Sequence, residues 1–146
     1  MPVLTFGPHG DLPIGIHGAS LADVVALFGT GSRRRSLLAD RLKRIYRLAR
    51  ATGQLRRFIL FGSFVTRKTE PGDIDIFLIM DNAFDVTKIE DSARAIFDHA
   101  VAQAEWDASV FWARQEALLT SEEEAIAYWQ IKRDRNQRGI IEVLSE

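Results

Sequence analysis

Cysteine is absent from the 146 residues. A disulfide framework, a Cys-ligated zinc or iron–sulfur site and a thiol nucleophile are therefore excluded, and nothing points to an oxidising compartment. A cytoplasmic location is the expectation. No apolar run approaches the roughly 20 residues of a membrane-spanning helix, and Met1-Pro2-Val3-Leu4-Thr5-Phe6 lacks the basic-then-apolar order of a secretory signal. His9, His17 and His99 are scattered with no His-x-x-x-His pair, so a histidine zinc site is not expected. There is no Gly-x-x-x-x-Gly-Lys-Ser/Thr loop, and Gly29-Thr30-Gly31-Ser32 reads as a turn between helices. A Gly-x-Ser-x-Gly elbow is also missing, which sets a serine hydrolase aside.

What is present is the composition of an ordinary globular domain, 47% hydrophobic and 27% charged, at a length that can bury a core without staples. The net charge of -1 conceals a segregation. From Arg33 to Lys68 run twelve basic residues against one acid, Asp40, and the remainder of the chain carries the compensating negative charge. Such a segment attracts a polyanion, nucleic acid through Arg33 to Arg57 or a nucleoside triphosphate. It serves equally as a helix face paired with the acidic remainder.

Periodicity divides the chain into elements of one α/β (α+β) domain spanning 1–146, with no repeat or linker. Residues 1–19 hold two short apolar runs around a Gly- and Pro-rich turn, an N-terminal hairpin or arm. Residues 20–53 are helical: Ser20 caps a helix over Leu21 to Phe28, and Leu38, Leu42, Ile45 and Ala49 mark a longer amphipathic helix to Ala51. The segment 57–135 alternates. Strands are expected at Arg57–Phe61 and Asp73–Met80, with a turn or two of helix from Ser63 between them. A helix follows over Asp85 to Gln103, then a strand over Glu105–Val110 and a capped helix from Thr120 or Ser121 to about Arg135. Residues 139–146 form a short strand or apolar tail.

Chemistry concentrates in Leu60-Phe61-Gly62-Ser63 and Asp73-Ile74-Asp75-Ile76. Aspartates two apart on a strand point to one face. Side-by-side carboxylates are unfavourable unless a cation joins them, and Mg²⁺ takes carboxylate and phosphate oxygens together. Gly62 removes a side chain where a phosphate approaches the backbone, and Ser63 offers a hydroxyl and the free amides of a helix start.

This ordered pattern resembles the signature of the DNA polymerase β-type nucleotidyltransferase superfamily, most closely its minimal branch, which includes small MNT-type antitoxins paired with HEPN-domain toxins. The resemblance covers about Ile59 to Val110. It implies a small mixed sheet flanked by helices, two Mg²⁺ ions and a nucleoside triphosphate donor, with ATP expected. Gly62 and Ser63 correspond to the phosphate-binding pair, Asp73 and Asp75 to metal ligands, and Asp107 to a third carboxylate from a later strand, with Glu105 as its alternative. The Gly-Ser is followed by Phe64-Val65-Thr66-Arg67-Lys68, without the small residue and glycine often found there in the MNT branch; Arg67 or Lys68 reaches towards a triphosphate. The start, Gly10-Asp11-Leu12-Pro13-Ile14-Gly15-Ile16-His17, and the closing Gly-Ile-Ile are also similar to a poorly characterised bacterial family within the superfamily.

Two functions follow. One is transfer of a nucleoside monophosphate, AMP from ATP, to a hydroxyl of a protein, RNA or small molecule, including the antitoxin role towards a HEPN-like toxin. The other is a binding module of the same fold without catalysis, acting on a protein partner or nucleic acid. At this length part of an acceptor site is expected from a partner or from a second copy in a homodimer.

Overall fold

The computed structural model describes residues 6–7 and 10–144. The run before Phe6, together with His9, lies outside the described residues. A five-stranded mixed sheet organises the chain: β1 (Ile16–Ser20), β2 (Leu55–Phe61), β3 (Ile74–Met80), β4 (Ala108–Arg114) and β5 (Ile140–Leu144), in the spatial order β1-β5-β2-β3-β4. β2 runs antiparallel to β3 and β5, whereas β1 pairs parallel with β5 and β3 parallel with β4. The C-terminal run is thus an inner strand and not a tail, and β1 is an edge strand; no N-terminal hairpin forms among the described residues.

Alternation along β3 assigns the two faces. Ile74, Ile76, Leu78 and Met80 enter the larger core, beneath α1 (Leu21–Phe28) and α2 (Arg33–Ala51), with Val24, Phe28, Leu38, Leu42 and Ile45. Phe77 and Ile79 turn to the opposite face and pack with Ile59, Ile126 and Ile140, partly covered by Trp129. A strand buried on both sides needs a continuous apolar run, which is what residues 76–80 supply.

Parallel pairing of β3 with β4 requires a crossover, and residues 81–107 provide it. The single helix expected there is broken. A 3₁₀ turn at Val86–Lys88, α3 (Asp91–Arg94), a second turn at Ala95–Phe97 and α4 (His99–Trp106) replace it. Asp98 causes the last break: its backbone is extended and its side chain accepts from Val101 N, capping α4. α4 reaches Trp106, so the strand starts at Ala108 rather than at Glu105. After β4, Ser121 caps α5 (Glu122–Ala127) by accepting from Glu124 N, and a 3₁₀ turn at Tyr128–Gln130 ends the helical stretch.

Part of the basic segment is spent on contacts within the fold, whereas Arg33, Arg44, Arg47, Arg50, Arg67 and Lys68 are exposed. Arg57 binds Glu142 (2.6 Å) and Glu123 (2.5 Å), and Arg56 binds Glu122 (2.9 Å). Arg35 is buried, and its guanidinium donates to the carbonyls of Phe28 (3.0 Å), Phe64 (2.8 Å), Thr66 (2.6 Å) and Lys68 (2.9 Å). Burial pushes its pKa below the ordinary arginine value. Those bonds fasten the loop after Gly62 to α2.

Candidate functional site

The Pro71-Gly72 turn that leads into β3 is held by Arg34, whose guanidinium donates to both carbonyls, to Pro71 O at 3.1 Å. Asp73 follows directly, and Asp75 is the second residue of β3, paired with Phe61 on β2 and Ser109 on β4. Both carboxylates line one cleft on the sheet face opposite α2, as the alternation predicts. Ser109 Oγ donates to Asp73 Oδ2 (3.0 Å), with Gln103 Oε1 at 2.9 Å on its other side.

Burial, and next the neighbouring Asp73 charge, push the Asp75 carboxyl up to about 7, against the pull of Arg138 and Arg133. Below neutral pH Asp75 therefore keeps a proton that a cation would displace. Gly62 explains how the carboxylate fits. Its φ is 79°, and a Cβ there would overlap Asp75 Oδ2. The space that the Gly-Ser motif was expected to clear for phosphate is occupied by the Asp75 side chain, so the glycine joins the two halves of the motif. Ser63 begins only one 3₁₀ turn, Ser63–Val65, whose Ser63 carbonyl accepts from Thr66 N and Oγ1. A longer amide cradle does not form.

The cleft around Asp73 and Asp75 has a volume of about 490 Å³ and includes Gly62, Ser109, Lys132, Arg133 and Arg138 in its walls. Beside it lies a second cavity of about 560 Å³, walled by Ser63, Thr66, Arg67, Lys68 and Asp11 and again by Lys132 and Arg138. The shared cations connect the two. Asp11 fixes them, at 3.3 Å from Lys132 Nζ and 3.4 Å from Arg138 Nη1. The structure thus gathers Gly62, Ser63, Arg67, Lys68, Asp73 and Asp75 into adjoining cavities. Sequence reasoning missed Lys132, Arg138, Asp11 and Ser109. The only signal was the basic cluster after Gln130, and nothing local aims it at β3.

Asp107 is not brought to the pair. It closes α4 in the left-handed conformation (φ 49°, ψ 46°), which interrupts the strand alternation. Its carboxylate binds Arg41 (2.5 Å) and Arg34 (3.3 Å) of α2. Glu105 is exposed on α4. At the register position beside Asp75, β4 carries Ser109. β4 therefore places no carboxylate beside Asp73 and Asp75. Among the described residues no group of three or more His, Cys, Asp or Glu is placed to hold a metal, and no helix is long and apolar enough to cross a membrane.

The fold and site define a mixed α/β domain whose sheet carries a paired-carboxylate cleft that shares Lys132 and Arg138 with a cationic cavity. The chain belongs to a family described as a family of unknown function (DUF6932), whose model matches residues 4–144. Comparison with curated proteins and with solved structures finds no match.

Proposed function

We propose that this protein is a nucleotidyltransferase of the DNA polymerase β type, dependent on Mg²⁺, that transfers a nucleoside monophosphate from a triphosphate to a hydroxyl. ATP is the expected donor, and a protein, an RNA or a small molecule is the acceptor. The observation that carries the reading is the junction of the Asp73/Asp75 cleft with the Arg67/Lys68 cavity through Lys132 and Arg138.

In this reading Asp73 and Asp75 would hold the cation, and Ser109 orients Asp73 through its hydroxyl. Mg²⁺ bound there supplies charge neutralisation and lowers the pKa of the attacking hydroxyl. Arg67, Lys68, Lys132 and Arg138 draw the β- and γ-phosphates into the neighbouring cavity and stabilise the departing pyrophosphate. The acceptor oxygen forms a bond to the α-phosphorus as the bond to pyrophosphate breaks, and the hydroxyl proton passes to solvent. The antitoxin role, with a HEPN-like toxin as acceptor, is a special case of this chemistry.

The position of Asp107 favours a second reading, a module that binds the nucleotide without transferring it. Titration of ATP with and without Mg²⁺, followed by a search for transferred α-labelled phosphate, separates the two. Magnesium-dependent binding lost in Asp73→Asn/Asp75→Asn, with label moving to an acceptor, is the outcome expected for the transferase. Binding without transfer selects the module, and no binding rejects both.

A further inference from the structure

Along the sheet face that carries the carboxylates, the side chains one pleat further from Ser63 are aromatic. Phe77 follows Asp75 on β3, and its register partner Phe111 follows Ser109 on β4. Trp129 lies over this row, with ring centroids 4.5 Å from Phe61, 5.2 Å from Phe77 and 5.0 Å from Phe111. His99 stands beside Phe111 at 5.1 Å, and Tyr128 beside Trp129 at 5.4 Å. Packing among themselves does not bury these rings completely. Phe111 is 39% exposed and Tyr128 63% exposed, and both open into the cleft that contains Asp73 and Asp75.

The cleft thus has exposed aromatic rings beside its carboxylates, and it shares Lys132 and Arg138 with the neighbouring cavity that Arg67 and Lys68 line. Two residues of strand rise, roughly 7 Å, separate the Asp75 row from the Phe111 row. A pentose bridges that distance between an α-phosphate and a planar base. We infer that His99, Phe111 and Tyr128 form the nucleobase subsite, with the base stacked on the exposed rings and the triphosphate directed towards Arg67 and Lys68. The inference rests on the nucleotide reading above and adds the orientation of the ligand and the residues that select for a base. Stacking on a ring face tolerates any base, so these residues favour nucleotides over bare polyphosphate more than one base over another.

The test compares ATP with inorganic tripolyphosphate, both with Mg²⁺, on the whole chain. Phe111→Ala and Tyr128→Ala should each weaken ATP binding by about tenfold and leave tripolyphosphate binding within about twofold. Arg67→Ala should weaken both ligands. Equal losses on the two ligands in the aromatic variants, or no loss on ATP, overturn the base subsite while leaving the nucleotide reading in place. Failure of the wild-type chain to bind either ligand overturns both. Because Phe111 also packs against Trp129, fluorescence of the unaltered protein gives an independent readout. ATP should quench emission and tripolyphosphate should not, and the difference should vanish in Trp129→Phe. Identical responses to the two ligands in the wild-type chain also overturn the assignment.

Discussion

Replacing Asp75 by asparagine should stabilise the protein, and by an amount that depends on pH. The carboxyl titrates at about 7 in the folded chain against an ordinary value of 3.8, chiefly because burial and then Asp73 disfavour its charged form. Below pH 4 it is protonated in both folded and unfolded chains and distinguishes neither. Between pH 4 and 7 the unfolded chain releases this proton and the folded chain keeps it, so stability falls by about 1.4 kcal/mol per pH unit. The full displacement corresponds to on the order of 4 kcal/mol, complete once the pH passes the folded value. Partial solvation of the cleft reduces the measurable effect to about 2–4 kcal/mol. Asparagine keeps the shape without the charge and has no such slope. Urea unfolding of both proteins from pH 4 to pH 8, without divalent cations and followed by tryptophan emission, gives the difference directly. Groups distant from Asp75 titrate alike in both and cancel. The advantage of Asp75→Asn should grow to pH 7 and then level off. Parallel curves, or a variant less stable than wild type at pH 8, would refute the reasoning. Under the proposed function, adding Mg²⁺ at pH 8 should stabilise wild type and leave the variant unmoved.

Three further outcomes follow from the same geometry. Gly62→Ala meets both a left-handed backbone and the Asp75 carboxylate, and should cost about 2–4 kcal/mol in thermal or urea unfolding; Gly62→Ala/Asp75→Ala should recover part of that loss. Arg35→Met removes the donor shared by the carbonyls of Phe28, Phe64, Thr66 and Lys68. It should destabilise by about 3 kcal/mol or more and speed amide exchange in residues 63–68. Asp107→Asn loosens partly exposed ion pairs to Arg34 and Arg41 and should cost about 1 kcal/mol. It should not change magnesium-dependent ATP affinity, and a loss of affinity in calorimetry would return Asp107 to the site.

Local rules made much of the fold legible. Ser20 and Ser121 cap helices where their hydroxyls can accept from an amide three residues on, and the period of Leu38, Leu42, Ile45 and Ala49 draws the buried stripe of α2. Period-two alternation placed Asp73 and Asp75 on one face because β3 is regular there. The same rule failed for Asp107. A helix end in the left-handed conformation precedes β4, so the alternation starts afresh at Ala108, and the carboxylate goes to two arginines on the other side of the sheet.

The sequence by itself determined the mixed α/β class and the paired carboxylates, since each depends on residues close together in the chain. Tertiary structure alone decided what surrounds the pair. β5 inserts between β1 and β2, and the segment before it crosses the sheet face, bringing Trp129, Lys132 and Arg138 to carboxylates 54 to 65 residues earlier in the chain. It also decided that Gly62 accommodates Asp75 and that Arg35 is a buried clasp and not part of a basic surface. Those outcomes depend on which surfaces the whole chain buries together, and no local spacing encodes that choice.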